Sequence, residues 1–170
     1  MRALLVFLLF LPLAACDAGD PDGPGASSFS CEPLYGDELA SGSFAATVDG
    51  TPLAVDCVTA VAQGAVVPTL DVTGYVHAGG GLLPDALVNI TLIGPAVGTY
   101  DVASGGTVQT IVSGQYQAPG SLDTFLAETG TITVSELTDT RVRGSFSFVA
   151  ENGAEVTGGA FDLEYATFAP

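Results

Sequence analysis

Hydrophobic and polar residues alternate along the C-terminal part of the chain. Residues 131–135 read T-I-T-V-S, and in residues 141–148 a valine and two phenylalanines alternate with arginines and serines. A period of two is typical of a β-strand with one buried face. The pattern therefore predicts two strands here, with Phe146 and Phe148 pointing into a hydrophobic core and the arginines facing solvent.

A hairpin and an irregular strand are expected next. Asn152-Gly153 favours a type I′ turn, because both residue types tolerate a positive φ. After the turn Val156 has one parity, whereas the hydrophobic residues of the segment 161–165 have the other. A strand changes its buried face only where an extra residue is inserted, so we predict a β-bulge at Gly158-Gly159.

The earlier chain continues the same pattern in short runs. Residues 42–48 place Phe44, Ala46 and Val48 on one face, and Asp49-Gly50 is a two-residue turn signal. The many runs are separated by glycine and proline, of which the chain has 22 and 10. We predict an all-β fold: a single antiparallel β-sandwich or meander-type barrel of about 8–9 strands, over residues 42–168. The other expected strands are 53–61, 70–76, 88–92, 98–102 and 108–117.

Residues 1–15 have the organisation of a bacterial lipoprotein signal peptide. Arg2 precedes an apolar run from Ala3 to Leu13, which is too short for a permanent membrane span. The sequence L-A-A-C that follows resembles the lipobox, which implies cleavage before Cys16 and attachment of lipid to that residue. The alternative is an ordinary secretory signal followed by a chance cysteine.

Residues 16–41 are expected to form a flexible tether. The segment after Cys16 reads D-A-G-D-P-D-G-P-G-A-S-S and has no hydrophobic periodicity, so it cannot bury enough surface to offset the entropy of ordering. Its acidic residues also resemble the surface-export signal of Bacteroidota lipoproteins. We therefore predict an outer-membrane lipoprotein of the bacterial envelope, on either its periplasmic or its surface-exposed face.

Two cysteines remain for the folded domain. Cys31 and Cys57 leave no cysteine over when they pair, and an exported protein meets an oxidising environment. Both points favour a disulfide between them. On the chain-entropy model such a bond would stabilise the fold by about 3 kcal/mol. Two unpaired thiols are the alternative.

The net charge excludes one class of partner. The chain has 19 acidic residues, three arginines and no lysine, and a formal net charge of −16. Such a charge repels phosphate backbones, so we predict no nucleic-acid binding. General solubility explains the charge best, and capture of cations or of a basic partner is the alternative.

No pattern of catalytic residues is evident. The single histidine, His77, has no second histidine or free thiolate with which to form a zinc site, and no G-x-S-x-G motif accompanies it. Because it shares a strand parity with Asp71, Thr73 and Tyr75, we expect it on the solvent face. We predict no catalytic residues, no bound metal and no cofactor.

Several segments together resemble a family of uncharacterised Bacteroidota lipoproteins. They are G-T-I-T-V, R-V-R-G-S-F-S-F-V-A-E-N and V-T-G-G-A-F-D-L near the C-terminus, with G-S-F-A-A-T-V-D-G and V-G-T-Y-D-V earlier. The C-terminal signature is G-x-F-x-F followed by V-T-x-G-x-F-D. The chain differs from the family pattern in lacking tryptophan and lysine. The resemblance implies an all-β fold and an envelope location, and no activity.

Three functions are compatible with these features. The first is a membrane-anchored, non-enzymatic binding or envelope-structural module. The second is a small apolar ligand carrier with a barrel-type pocket, suggested by the many inward valines, leucines and phenylalanines. The third is a hydrolase, which has only His77 and scattered carboxylates to support it. The first is the function we expect.

Overall fold

Antiparallel β-strands make up most of the described chain. The computed structural model describes residues 29–64, 67–78, 80–103, 112–121 and 123–165. A short helix α1 (Glu32–Tyr35) and a 3₁₀ turn (Gly36–Glu38) precede the strands. The strands are β1 (Ser41–Val48), β2 (Thr51–Pro52), β3 (Cys57–Gln63), β4 (Thr69–Val76), β5 (Ala86–Ile93), β6 (Gly98–Ala103), β7 (Val112–Gln117), β8 (Thr124–Leu137), β9 (Arg141–Ala150) and β10 (Glu155–Glu164).

The strands form one curled sheet with a half-barrel shape. Their order is β2-β1-β10-β9-β8-β7-β5-β4-β3, a meander in which the N-terminal β1 lies beside the C-terminal β10. β6 leaves this path and pairs with β8. The curl brings the two ends of the order together, because Leu39, just before β1, forms an antiparallel bridge with Thr59 of β3. The predicted all-β fold is confirmed.

The two predicted hairpin turns differ in type. The two-residue turn predicted at Asp49-Gly50 is present, and the φ values of 49° and 78° are those of a type I′ turn. The second hairpin is present, but Asn152 does not have a positive φ and Gly153 does, at 83°. Four residues, 151–154, separate β9 from β10, and the N–H of Gly153 donates to the carbonyl of Ala150 at 2.8 Å. The prediction of a type I′ turn there is therefore wrong. The Asn152 side chain accepts the N–H of Ala154 at 3.1 Å, which fits the longer loop.

The predicted bulge in β10 is confirmed. Val156 pairs with Phe148 and Gly159 pairs with Phe146, so the strand contains one more residue than its partner between these pairs. Gly158 adopts a φ of 59°, which a β-branched or bulky residue rarely takes. As a result Val156 and Phe161 are both buried although their parities differ.

Several phenylalanine rings contribute to the core inside the curl. Phe146 and Phe148 are buried, as predicted, whereas Ser145 on the opposite face is exposed. Each of four rings lies against a glycine that has no room for a Cβ atom. The pairs are Phe44 with Gly74, Phe146 with Gly159, Phe148 with Gly114 and Phe161 with Gly144.

The start of the domain lies earlier than the sequence indicated. The predicted tether included residues 29–41, but the structure places helix α1 and the 3₁₀ turn within that range. The N–H of Ala40 donates to the carbonyl of Val58 at 3.0 Å, which ties this segment to β3. Residues 1–28, which include the predicted signal peptide and the rest of the tether, lie outside the described residues, as do residues 166–168 at the predicted C-terminal boundary.

Candidate functional site: the N-terminal junction

A disulfide joins the N-terminal segment to the sheet. Cys31, immediately before α1, is bonded to Cys57, the first residue of β3, and the two Cα atoms are 5.8 Å apart. Cys57 is buried. The predicted disulfide is confirmed. Together with Phe29, Tyr35 and His77 these cysteines form what we call the N-terminal junction.

Helix α1 is short and is held by its contacts with the sheet. Pro33 lies in its first turn, a position where proline's missing N–H has no helical partner to lose. Four residues are too few for an isolated helix to be stable. The helix orients Tyr35 so that its ring stacks on Tyr75 of β4, with centroids 4.4 Å apart.

His77 is the centre of the junction, and its predicted exposure is wrong. Its side chain is only 2% exposed. The ring stacks on Phe29 with centroids 4.1 Å apart. The alternation that predicted a solvent-facing histidine ends at Val76, where β4 ends. Residues 29–38 then cover the surface that the histidine faces.

Both ring nitrogens of His77 have hydrogen-bond partners. The Nδ1 atom lies 3.2 Å from the carbonyl oxygen of Gly81, and Nε2 lies 2.9 Å from the hydroxyl of Tyr35. Since a carbonyl oxygen only accepts, Nδ1 is the donor to Gly81, and in the tautomer with its hydrogen on Nδ1 the Nε2 atom accepts from the Tyr35 hydroxyl. A buried imidazole is therefore satisfied at both ends.

Burial also affects the hydroxyl of Tyr35. Desolvation, with a further contribution from the neighbouring Tyr75, raises the pKa of Tyr35 to about 12. The hydroxyl therefore keeps its proton across the physiological range and remains a donor to the histidine.

The arrangement of the junction is structural in character. The carboxylate of Asp56 accepts the backbone N–H of His77 at 2.6 Å, rather than a ring nitrogen. The imidazole is therefore oriented by a carbonyl and a tyrosine, and the carboxylate does not act on it in the way that a catalytic triad requires. These contacts fix the end of β4 to the segment that enters the domain.

A second polar cluster lies on the outer face of β8, β9 and β10. The carboxylate of Asp162 accepts from Arg143 at 2.6 Å and from Arg141 at 2.7 Å. Hydrogen bonding by Arg143 is the main reason that the pKa of Asp162 is lowered. Glu136 and Glu164 lie at the edges of the cluster, at 3.5–4.0 Å from the guanidinium groups.

This ion-pair cluster borders an open groove of about 350 Å³. The groove is lined by Ser41, Gly42 and Ser43 of β1 together with Arg141, Asp162 and Glu164. Because the arginines are already paired with carboxylates on neighbouring strands, cross-strand pairing accounts for the cluster without a ligand.

In the part of the chain that the structure describes, no group of three or more histidine, cysteine, aspartate or glutamate side chains is placed to hold a metal ion. No helix within residues 29–165, apart from their gaps, is long and apolar enough to cross a membrane. The predicted lipid attachment residue, Cys16, lies outside the described residues and stays a prediction.

Comparison with known proteins adds no family. No family model, no curated protein and no solved structure matches this chain. The resemblance to the Bacteroidota lipoproteins therefore stays a prediction from the motifs alone.

Sequence reasoning missed most of the junction and did not assemble the ion-pair cluster. The burial of His77 and the role of Tyr35 depend on how residues 29–38 fold over the sheet, which no periodicity indicates. The sequence did contain a signal for the ion-pair cluster. Once the 152–153 hairpin and the bulge are accepted, Arg143 and Asp162 fall opposite each other, as the register shows.

Proposed function

We propose that this chain is an exported bacterial lipoprotein whose domain is a non-enzymatic binding or envelope-structural module. The observation that carries the proposal is the sequence L-A-A-C at residues 13–16, directly after a short apolar segment. Lipid on Cys16 would anchor the chain to the outer membrane. Several acyl chains on one cysteine hold a protein stably, whereas one chain does so only marginally.

The junction supports a tethered module. A force or a change in orientation at the tether reaches the domain through residues 29–31, and a covalent bond joins Cys31 to β3. A disulfide is also typical of exported compartments and rare in the cytosol. The bond holds the N-terminal segment against the sheet at the point where the chain enters the domain.

The packing of the interior favours this role over a ligand carrier. A carrier needs an apolar cavity of a few hundred Å³. Here Phe146 lies 5.5 Å from Phe44 and 6.2 Å from Phe148, measured between ring centroids. These side chains pack against each other and against glycines, which accounts for the inward phenylalanines as core residues.

The anchor can be tested by fractionating cells that express the full chain. We expect the wild-type protein in the membrane fraction and in the detergent phase, and the Cys16→Ser variant in neither, since a hydroxyl cannot form the thioether. Ser27→Ala, in the same segment, is the matched control and should behave as wild type. Equal partitioning of the Cys16→Ser variant and the wild type would contradict the anchor.

The non-enzymatic part has its own test. The full chain is assayed on a panel of esters and glycans, beside a His77→Phe variant that keeps an aromatic ring at the junction. We expect no turnover by either protein. Turnover by the wild type that is lost in the variant would contradict the proposal and favour a hydrolase.

A further inference from the structure

We infer that Leu82 and Leu83 form a membrane-contact site. The two side chains would enter the headgroup region of the bilayer that holds the anchor, so that the junction faces the membrane. This inference rests on the proposed function, because it requires lipid on Cys16.

The two leucines are adjacent and open to solvent. The two residues are 79% and 67% exposed, in the connection between β4 and β5. A single exposed apolar residue is common on protein surfaces. Two neighbouring exposed leucines on one loop concentrate apolar surface at one place, which is a feature of sites that contact membranes or other proteins.

Hydrogen bonds hold the loop that carries the two leucines. The N–H of Gly80 donates to the carbonyl of His77 at 2.8 Å, and the carbonyl of Gly81 accepts from the His77 ring at 3.2 Å. At its other end the N–H of Asp85 donates to the carbonyl of Val76 at 2.7 Å. Since these bonds already fix the loop, little conformational entropy is lost when its side chains enter another phase.

The tether ends beside this loop. Phe29 stacks on His77, the residue that also binds Gly81. Residues 17–28 separate Cys16 from Phe29. With the flexibility that its composition predicts, a segment of that length would have an end-to-end distance of about 20 Å and a fully extended limit of about 45 Å. The anchor therefore keeps the leucine pair close to the bilayer, where even a weak contact is favoured by a high effective concentration.

The charge of the protein indicates which lipid headgroups the leucine pair contacts. Glu32, Asp37 and Glu38 are exposed on the segment that leads into β1, and the whole chain has a formal charge of −16. An anionic lipid surface repels such a protein. A zwitterionic surface does not, so we assign the contact to zwitterionic headgroups. A second copy of the chain is the competing occupant.

The absence of tryptophan from the chain allows a direct test. Leu83→Trp introduces a single fluorescent reporter at the site. Val97→Trp is the matched control, because Val97 is 62% exposed and follows the opposite end of β5. Each lipidated full-length protein is bound to phosphatidylcholine vesicles that contain a spin-labelled lipid, and the quenching of tryptophan emission is measured.

We expect quenching of the tryptophan at position 83 and not of the one at position 97. Adding Leu82→Ser to Leu83→Trp should lower the ratio of docked to undocked protein about tenfold. The reason is that one leucine fewer is transferred from water into the bilayer. Equal quenching at the two positions, or none at either, would overturn the inference.

Two further results separate the possible failures. If protein extracted from membranes carries no lipid on Cys16, the proposed function and this inference fail together. If the lipid is present and position 83 is not quenched, the inference alone fails. A loss of self-association in a Leu82→Ser/Leu83→Ser variant would then identify a second copy as the occupant.

Discussion

The ring of Phe44 lies directly over Gly74. The two residues belong to β1 and β4, which are far apart in the strand order, so this contact joins opposite parts of the curled sheet. A Cβ atom at position 74 would lie 2.6 Å from the ring, closer than real Cβ contacts come. The glycine is therefore required by the approach of the phenylalanine.

Gly74→Ala should destabilise the domain by about 1–3 kcal/mol, because the ring or the strand must move. The measurement is the free energy of unfolding in urea. Gly98→Ala is the control: it also lies in a strand, and its nearest neighbour would be Tyr100 at 3.8 Å. Phe44→Leu should relieve part of the cost in a double-mutant cycle. Equal effects of the two alanines would contradict the packing described.

Phe148 and Ser147 test the orientation of β9. Phe148→Ala removes a buried ring and should cost about 3–5 kcal/mol, a large share of the roughly 5–15 kcal/mol that stabilises a small domain. Ser147→Ala, one residue away on the outer face, should change the urea midpoint little. If both substitutions had the same effect, the buried face of this strand would be misassigned.

The disulfide should contribute about 3 kcal/mol, the value expected for closing a loop of this length. The Cys31→Ala/Cys57→Ala variant should therefore melt at a lower temperature than the wild type. Reducing agent should lower the melting temperature of the wild type to about the same level and leave the variant unchanged. A variant that melts with the wild type would show that the bond does not constrain the chain.

Alkaline pH should weaken the junction. The pKa of Tyr35 is about 12 in the folded protein and about 10 in an unfolded chain. Because the folded value is the higher one, its stabilising contribution is complete below pH 10 and is lost as the pH rises toward 12.

The free energy of unfolding is therefore compared at about pH 9 and pH 11 in the wild type and in Tyr35→Phe. The wild type should lose more stability between these pH values than the variant. Burial also raises the pKa values of Tyr116 and Tyr165, but those residues are present in both proteins. Identical losses would mean that Tyr35 does not titrate as described.

Local patterns were sufficient to predict many elements of this fold. The parity of β9 placed Phe146 and Phe148 in the core. The change of parity after Val156 located the bulge, since the pleat of a strand leaves no other way to bury both Val156 and Phe161. The Asp49-Gly50 turn followed from two residues that tolerate a positive φ.

Other features depend on contacts that no local pattern contains. The burial of His77 requires residues 29–38 to pack over the end of β4. The expected strand over residues 53–61 is shorter than predicted, because residues 53–56 are not in a strand and β3 begins at Cys57. The pairing of β6 with β8, outside the meander, joins two segments that are distant in the sequence. Such contacts are formed by the tertiary structure, which is why sequence reasoning did not find the junction.

The lipid anchor is the central claim, and the intact mass of protein extracted from bacterial membranes tests it most directly. We expect a chain that has lost residues 1–15, that carries lipid on a peptide beginning at Cys16, and that retains the Cys31–Cys57 bond until it is reduced. A chain that keeps residues 1–15, or an unmodified Cys16 in a mature protein, would contradict the account.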